Sequence, residues 1–203
     1  MSLFEKLVAK PWNHAGELDG IHGDFLTVRS AGYTGLRMFL AVISVMFLLF
    51  IISYYTRMQS GDWEVLKDPR ILWFNTLVLV LASVAMQLAS DASKRDERGR
   101  TIPYIVAGEL LTLVFIVGQF AAWDQLVAAG YYAVRNPANA FFYLFTGIHA
   151  LHLVGGIWFL ARLAIRLRRA DYEQVKQNVA LCATYWHYLL LVWLVLFTLL
   201  LKT

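Results

Sequence analysis

Five long apolar stretches dominate this chain and limit what it can fold into. They run roughly over Leu36–Tyr55, Ile71–Ala89, Ile102–Trp123, Ala140–Ala161 and Val179–Leu201. Because a helix rises ~1.5 Å per residue, about 20 apolar residues cross the ~30 Å hydrocarbon core of a bilayer. The segments between the stretches are too short to bury a core of their own. The pattern predicts an all-α membrane protein, with a tail over residues 1–35 and a bundle of five transmembrane helices over residues 36–203.

The basic residues are unevenly divided between the two sides of such a bundle. Thirteen of the 18 Lys and Arg residues fall before or at the start of the first stretch, in the second loop and in the fourth loop. By the positive-inside rule, this places the N-terminus in the cytoplasm and the C-terminus in the periplasm. The basic residues therefore indicate orientation, and nucleic acid is not an expected partner despite the formal net charge of +4.

The fourth stretch carries two histidines and two spaced glycines. His149 and His152 lie three residues apart and so on one helical face, where imidazoles at membrane depth normally point into a bundle. Gly147 and Gly155 also share a face, and we expect another helix to approach closely at both.

Polar residues in the other stretches also follow helical spacing. In the second stretch, Asn75, Ser83 and Gln87 share one side and favour helix–helix contacts. In the third, one continuous face contains Glu109, Thr112, Ile116, Gln119 and Trp123. Glu109 is the only acidic residue inside any stretch. It is a candidate for a proton relay, a partner of a basic group, a contact to a lipid headgroup or a hydrogen bond within the bundle. Thr101, followed by Pro103, predicts the start of this helix.

The histidines raise the alternative of a b-haem membrane cytochrome, which needs two imidazoles on facing helices. His149 or His152 could pair with His187 of the fifth stretch. However, the chain direction places His187 at a different depth, which favours a structural role. No complete metal site and no nucleophilic arrangement can be read from the sequence. Cys182 is the only cysteine, so an internal disulfide is excluded.

Three segments carry a resemblance to a known family. They are FFYLFTGIHALHLVGG at Phe141–Gly156, TYWHYLLLVW at Thr184–Trp193, and Leu111–Leu126 with its Thr, Gly, Gln and Trp residues. In this order and spacing they resemble subunit III of the haem–copper respiratory oxidases, in a short form with five helices. The resemblance covers nearly all of the membrane region.

The resemblance implies a non-catalytic subunit without a cofactor of its own, in the inner membrane of a bacterium. Its expected partners are the catalytic subunit I and the other oxidase subunits, which hold haem and copper and reduce oxygen, together with membrane phospholipids. Cytochrome c is the expected electron donor. A quinol oxidase subunit III and an accessory protein of nitric oxide reduction are the alternatives within the family. The residues expected to line packing or lipid surfaces are Glu109, Thr112, Gln119, Trp123, His149, His152, Tyr185, Trp186 and His187.

The sequence departs from the family where carboxylates are usual. Ala41–Phe47 contains no acid where the family has a Ser-Glu pair, and Ala180 and Leu190 stand where acids flank the Tyr-Trp-His segment. Roles of those carboxylates in lipid binding or proton handling therefore do not transfer to this chain. We hypothesise that Glu109 compensates in part.

Overall fold

The computed structural model describes the backbone of residues 22–59, 61, 63, 70–134, 136–169 and 172–201, which form five helices and no strand. These are α1 (His22–Met58), α2 (Ile71–Lys94), α3 (Arg98–Ala128), α4 (Pro137–Arg169) and α5 (Tyr172–Leu201). Each contains a segment of at least 24 residues that is long and apolar enough to cross a membrane. The prediction of an all-α bundle of five membrane helices is confirmed.

The first helix begins earlier than the first apolar stretch. α1 starts at His22, inside the segment predicted to be a tail, whereas its apolar part starts at Gly32. Residues 1–21 lie outside the described residues. The division into a tail over residues 1–35 and a membrane domain over residues 36–203 therefore stays a prediction.

The start of α3 differs from the one predicted at Thr101. The chain leaves α2 through Asp96, whose φ of 61° lies in the left-handed region, and α3 begins directly after this turn at Arg98. Both the backbone N–H and the hydroxyl of Thr101 already donate to the carbonyl oxygen of Glu97 at 3.0 Å. Pro103 consequently lies inside the helix, in its second turn, and the turn at Asp96 decides where the helix starts.

α2 and α3 form an antiparallel hairpin with the most extensive contact in the bundle. Small residues allow the two backbones to approach. A Cβ added at Gly108 would lie 3.0 Å from the Met86 sulfur, and one added at Gly118 would lie 2.9 Å from Cγ of Asn75. α5 packs against both α2 and α4, and α3 packs against α4.

α1 lies at the edge of the bundle. Within the described residues it packs only against α4 and α5. Only 11% of the most apolar 18-residue segment of α1 is buried, against 44% of the corresponding segments of α2 and α5. Most of its apolar side chains therefore face away from the other four helices.

The two ends of the bundle differ in chemistry. The end that carries Lys94, Arg100 and Arg162 is called the basic end here. At this end an ion pair between Asp96 and Lys176 joins the α2–α3 turn to the first turns of α5. At the opposite end, the buried Tyr54 ring contacts Trp63 at 4.9 Å and Phe141 at 5.4 Å, so α1 meets α4 through aromatic rings.

Candidate functional site

Three contacts between helices follow one pattern, in which a tryptophan indole N–H donates to a threonine hydroxyl on another helix. The pairs are Trp186–Thr112 (3.1 Å), Trp123–Thr146 (3.0 Å) and Trp193–Thr76 (2.9 Å). Each threonine hydroxyl in turn donates to the carbonyl oxygen four residues earlier in its own helix, at 2.8, 2.7 and 2.8 Å respectively. Together the pairs join α3 to α5, α3 to α4 and α2 to α5.

This pattern satisfies every polar atom involved. A threonine oxygen has one hydrogen to donate and lone pairs to accept, so it can bond its own helix and the indole at once. The hydrocarbon core of a bilayer supplies no bulk water to replace a lost partner. The structure thus brings Thr112, Trp123 and Trp186 into hydrogen bonds between neighbouring helices.

Tyr185 and Gly156 lie together where α4 contacts α5. The Tyr185 hydroxyl donates to the backbone carbonyl of His152 at 3.0 Å. A Cβ added at Gly156 would lie 2.9 Å from both Tyr185 and Trp186, so only glycine fits there. The prediction that helices approach at Gly147 and Gly155 is wrong for Gly155. No atom of the described residues lies within 4 Å of a Cβ at that position, whereas one at Gly147 would touch Trp123 at 3.8 Å. The difference of one position rotates the point of closest approach by about 100° around α4.

His187 connects α5 to the polar side of α2. Its Nδ1 lies 2.5 Å from Ser83 Oγ, and its Nε2 lies 2.9 Å from Gln87 Oε1. The Gln87 amide nitrogen donates to both carboxylate oxygens of Asp91 at 3.1 Å, so Gln87 Oε1 accepts from the imidazole. A chain of hydrogen bonds thus runs from Asp91 at the basic end to Ser83, about 12 Å further along α2.

The paired histidines of α4 differ in their surroundings. His149 is fully buried, with its ring 5.9 Å from Phe115 and 5.3 Å from Trp193. His152 is partly exposed, its Nδ1 lies 2.8 Å from the carbonyl oxygen of Ile148, and its ring lies 5.8 Å from Phe47. His149 contacts α5 at Trp193, roughly 9 Å along the axis from His187. His152 is not separated from His187 by depth, since its carbonyl oxygen accepts from Tyr185, but its ring contacts Phe47 of α1 whereas the His187 ring bonds to α2. The contacts among the described residues therefore pair neither α4 histidine with His187.

The remaining residues of the third-helix face lie in different environments. Gln119 is buried, whereas Glu109 is partly exposed, with its Oε1 buried and without a hydrogen-bond partner among the described residues. No three His, Cys, Asp or Glu residues in the described part of the chain are grouped so that they could hold a metal ion.

A cavity of about 640 Å³ opens between α1, α4 and α5. Its lining is mainly apolar, including Phe39, Trp158 and Leu181, and Gly155 leaves space at its wall. His152 and Tyr185 also line it. The guanidinium of Arg162 lies 4.2 Å from the ring centre of Trp158, so a cation stands beside the apolar cavity on the side of the basic end.

Sequence reasoning did not single out three of the contact residues, namely Thr76, Thr146 and Trp193. The available signal was a threonine in the middle of an otherwise apolar helix, since a hydroxyl there needs a partner on its own or a neighbouring helix. Nothing in the sequence identifies which tryptophan meets which threonine.

Comparison with known proteins gives a consistent result over almost the whole chain. The sequence model of the family described as cytochrome c oxidase subunit III matches residues 12–202. Cytochrome c oxidase subunit 3 of Thermostichus vulcanus is 32% identical over 198 residues, which cover 93% of this chain and 90% of the relative. Probable cytochrome c oxidase subunit 3 of Mycobacterium bovis is 29% identical over 155 residues, which cover 74% of this chain and 76% of the relative. Cytochrome bo(3) ubiquinol oxidase subunit 3 of Pseudomonas aeruginosa is 24% identical, with 73% and 71% covered.

Proposed function

The chain belongs to the cytochrome c oxidase subunit III family, and from this premise we propose that it stabilises the catalytic subunit I of a terminal oxidase. The observation that carries the proposal is that polar side chains form hydrogen bonds between helices. Trp186, His187 and Tyr185 bond one helix of the bundle to another. Such an arrangement suits a rigid, non-catalytic membrane subunit whose surface packs against a larger partner.

The chemistry of the complex belongs, in this proposal, to the partner subunits. They hold haem and copper, reduce oxygen to water and pump protons, while this chain supports proton uptake. We propose cytochrome c as the electron donor, since the Thermostichus vulcanus relative carries that name. The ubiquinol oxidase relative supports quinol as the second candidate.

Charge and family support a proposal for the location of the complex. We place the chain in the inner membrane of a bacterium, with the basic end of the bundle in the cytoplasm and the C-terminus in the periplasm. The uneven distribution of Lys and Arg supports this orientation.

The cavity between α1, α4 and α5 is proposed to hold the acyl chains of a phospholipid. Its apolar lining suits hydrocarbon, and Arg162 beside Trp158 offers a positive charge to a phosphate headgroup. Arginine pairs well with phosphate because its planar guanidinium donates two parallel hydrogen bonds.

The oxidase assignment is tested by affinity purification through a tag on this chain in mild detergent. We expect co-purification with a haem–copper subunit and oxygen consumption, and the accepted donor then decides between cytochrome c and quinol. Recovery of the chain alone and colourless would refute the assignment. Recovery alone with a b-haem spectrum would establish a cytochrome instead.

The lipid site is tested by native mass spectrometry of the purified complex. Gly155→Leu would fill the cavity and should remove one bound phospholipid, and Arg162→Gln should weaken its retention. The matched controls are Gly99→Leu, at an exposed glycine with open space around it, and Arg100→Gln, at an exposed arginine of the basic end. Unchanged lipid counts in Gly155→Leu would show that the cavity is not the binding site.

Glu109 is proposed to support proton handling in place of the carboxylates that this chain lacks. Glu109→Gln keeps the shape of the side chain and removes its charge. We expect faster inactivation of the oxidase during turnover and a lower proton yield per electron. An unchanged rate of inactivation together with an unchanged proton yield would exclude the role.

A further inference from the structure

Three fully buried polar side chains lie in the middle of the bundle without hydrogen-bond partners among the described residues. They are Asn75 on α2, Gln119 on α3 and His149 on α4, with exposed fractions of 0%, 1% and 0%. Both polar atoms of each side chain are unpartnered in this part of the chain. The Trp–Thr pairs around them, in contrast, have every polar atom bonded.

The packing places the three side chains at one level of the bundle. Asn75 rests against Gly118, the residue before Gln119. Phe115, one turn before Gln119 on α3, contacts the His149 ring at 5.9 Å.

At the same level, Trp193 of α5 contacts residues of α2, α3 and α4. Its ring lies 5.3 Å from His149 and 4.9 Å from Phe115, and its Nε1 donates to Thr76, the residue after Asn75. Asn75, Gln119 and His149 therefore lie on helix segments that meet in one region between α2, α3, α4 and α5.

Leaving these atoms unpaired would cost folding free energy, because a buried amide or imidazole loses its hydrogen bonds to water and gains none in exchange. Two amides supply four N–H donors and two carbonyl acceptors, and a neutral imidazole supplies one donor and one acceptor. A buried water needs only two to four polar partners. The region has the chemistry of a site for water, and no group of three His, Cys, Asp or Glu residues that could hold a metal is found there among the described residues.

We propose that Asn75, Gln119 and His149 form a buried hydration site, in which ordered water bridges the imidazole of His149 to the two amides. None of the three residues lines the lipid cavity. Its role is to hold α2, α3 and α4 in register at a level where, among the described residues, no direct side-chain hydrogen bond joins all three helices.

The direct test is the density in a cryo-electron microscopy map of the intact oxidase complex that resolves ordered water. The expected result is at least one peak within ~2.7–3.2 Å of His149 and of an amide of Asn75 or Gln119. Two results overturn the proposal: the three side chains bonded directly to one another, or a region without density for water.

A second test measures coupling through the shared water. Asn75→Leu, Gln119→Leu and His149→Phe each remove one member, and we expect each to lower the thermal midpoint of the complex by roughly 2–4 °C. Each pair of substitutions should cost less than the sum of its singles, because the first change already disrupts the water.

Thr198→Val is the control, because Thr198 is exposed and, within the described part of the chain, its hydroxyl donates to the carbonyl of Leu194 in its own helix and to no other helix. It should leave the midpoint unchanged. If the apolar substitutions raise the midpoint independently of one another, the site is dry and the proposal fails.

Discussion

The Nε1 of Trp186 on α5 lies 3.1 Å from Oγ1 of Thr112 on α3, and the same oxygen lies 2.8 Å from the carbonyl oxygen of Gly108. Both the tryptophan and the threonine are buried. One hydroxyl therefore donates to its own helix and accepts from another. The hydrocarbon core of the bilayer supplies no bulk water to replace either bond.

Thr112→Val should destabilise the chain because it keeps the shape of the side chain and removes the acceptor of the Trp186 indole. Leaving one buried donor unpaired costs about 1–3 kcal/mol. The measurement is the thermal midpoint of the purified complex, with Thr198→Val as the control that removes an exposed hydroxyl. Equal midpoints for the two variants would show that the indole bond contributes nothing.

Gly156→Ala should separate α4 from α5, whereas Gly155→Ala should be tolerated. The added Cβ would lie 2.9 Å from Trp186 and Tyr185 at position 156, and in open space at position 155. Overpacking of this kind costs about 1–3 kcal/mol, while alanine at an open helical position is neutral or slightly stabilising. Co-purification of the other oxidase subunits and the thermal midpoint measure the effect. A tolerated Gly156→Ala would contradict the close approach.

His187→Phe should loosen α5 from α2, because it removes the bonds to Ser83 and Gln87 together. We expect a loss of about 1–3 kcal/mol, since Ser83 is buried and loses its partner. Limited proteolysis of the complex and its thermal midpoint are the readouts. Thr184→Val is the control on the same helix, since that exposed hydroxyl donates to the carbonyl of Ala180 in its own helix.

Asp96 carries two separable contributions, one from its backbone and one from its charge. Its φ of 61° suits asparagine and strains alanine, and its carboxylate pairs with Lys176. Asp96→Asn should lose only the ion pair, at most about 1 kcal/mol, because the carboxylate is exposed. Asp96→Ala should lose a further ~1–2 kcal/mol from backbone strain.

Salt separates the two contributions of Asp96. The thermal midpoint of the parent complex should approach that of Asp96→Asn as ionic strength rises, since screening weakens an exposed pair. The gap between Asp96→Asn and Asp96→Ala should persist at all salt concentrations. A gap that closes with salt would place the whole effect in the charge.

The number and the approximate limits of the membrane helices could be predicted, because length and apolarity alone determine whether a helix can span a bilayer. The turn at Asp96 could not be placed, since the sequence shows Thr101 and Pro103 as stronger start signals than the left-handed residue that precedes α3.

The contacts of the candidate residues were only partly predictable. Helical spacing put Ser83 and Gln87 on one side of α2, and both bond to His187. Spacing cannot, however, identify a partner on another helix, which is why Thr76 and Thr146 were missed. The choice between Gly155 and Gly156 depends on a rotation of α4 that a periodic pattern does not fix.

The marginal position of α1 has a consequence for how the chain is made. Of the five described helices, the ribosome delivers α1 before the others, yet the helices it packs against, α4 and α5, follow α2 and α3. α2 and α3, joined by a turn of a few residues, can pair as soon as both have left the translocon. The assembly order is therefore expected to differ from the order of synthesis. The α2–α3 hairpin forms first, and α1 remains exposed to lipid until α4 and α5 have been inserted.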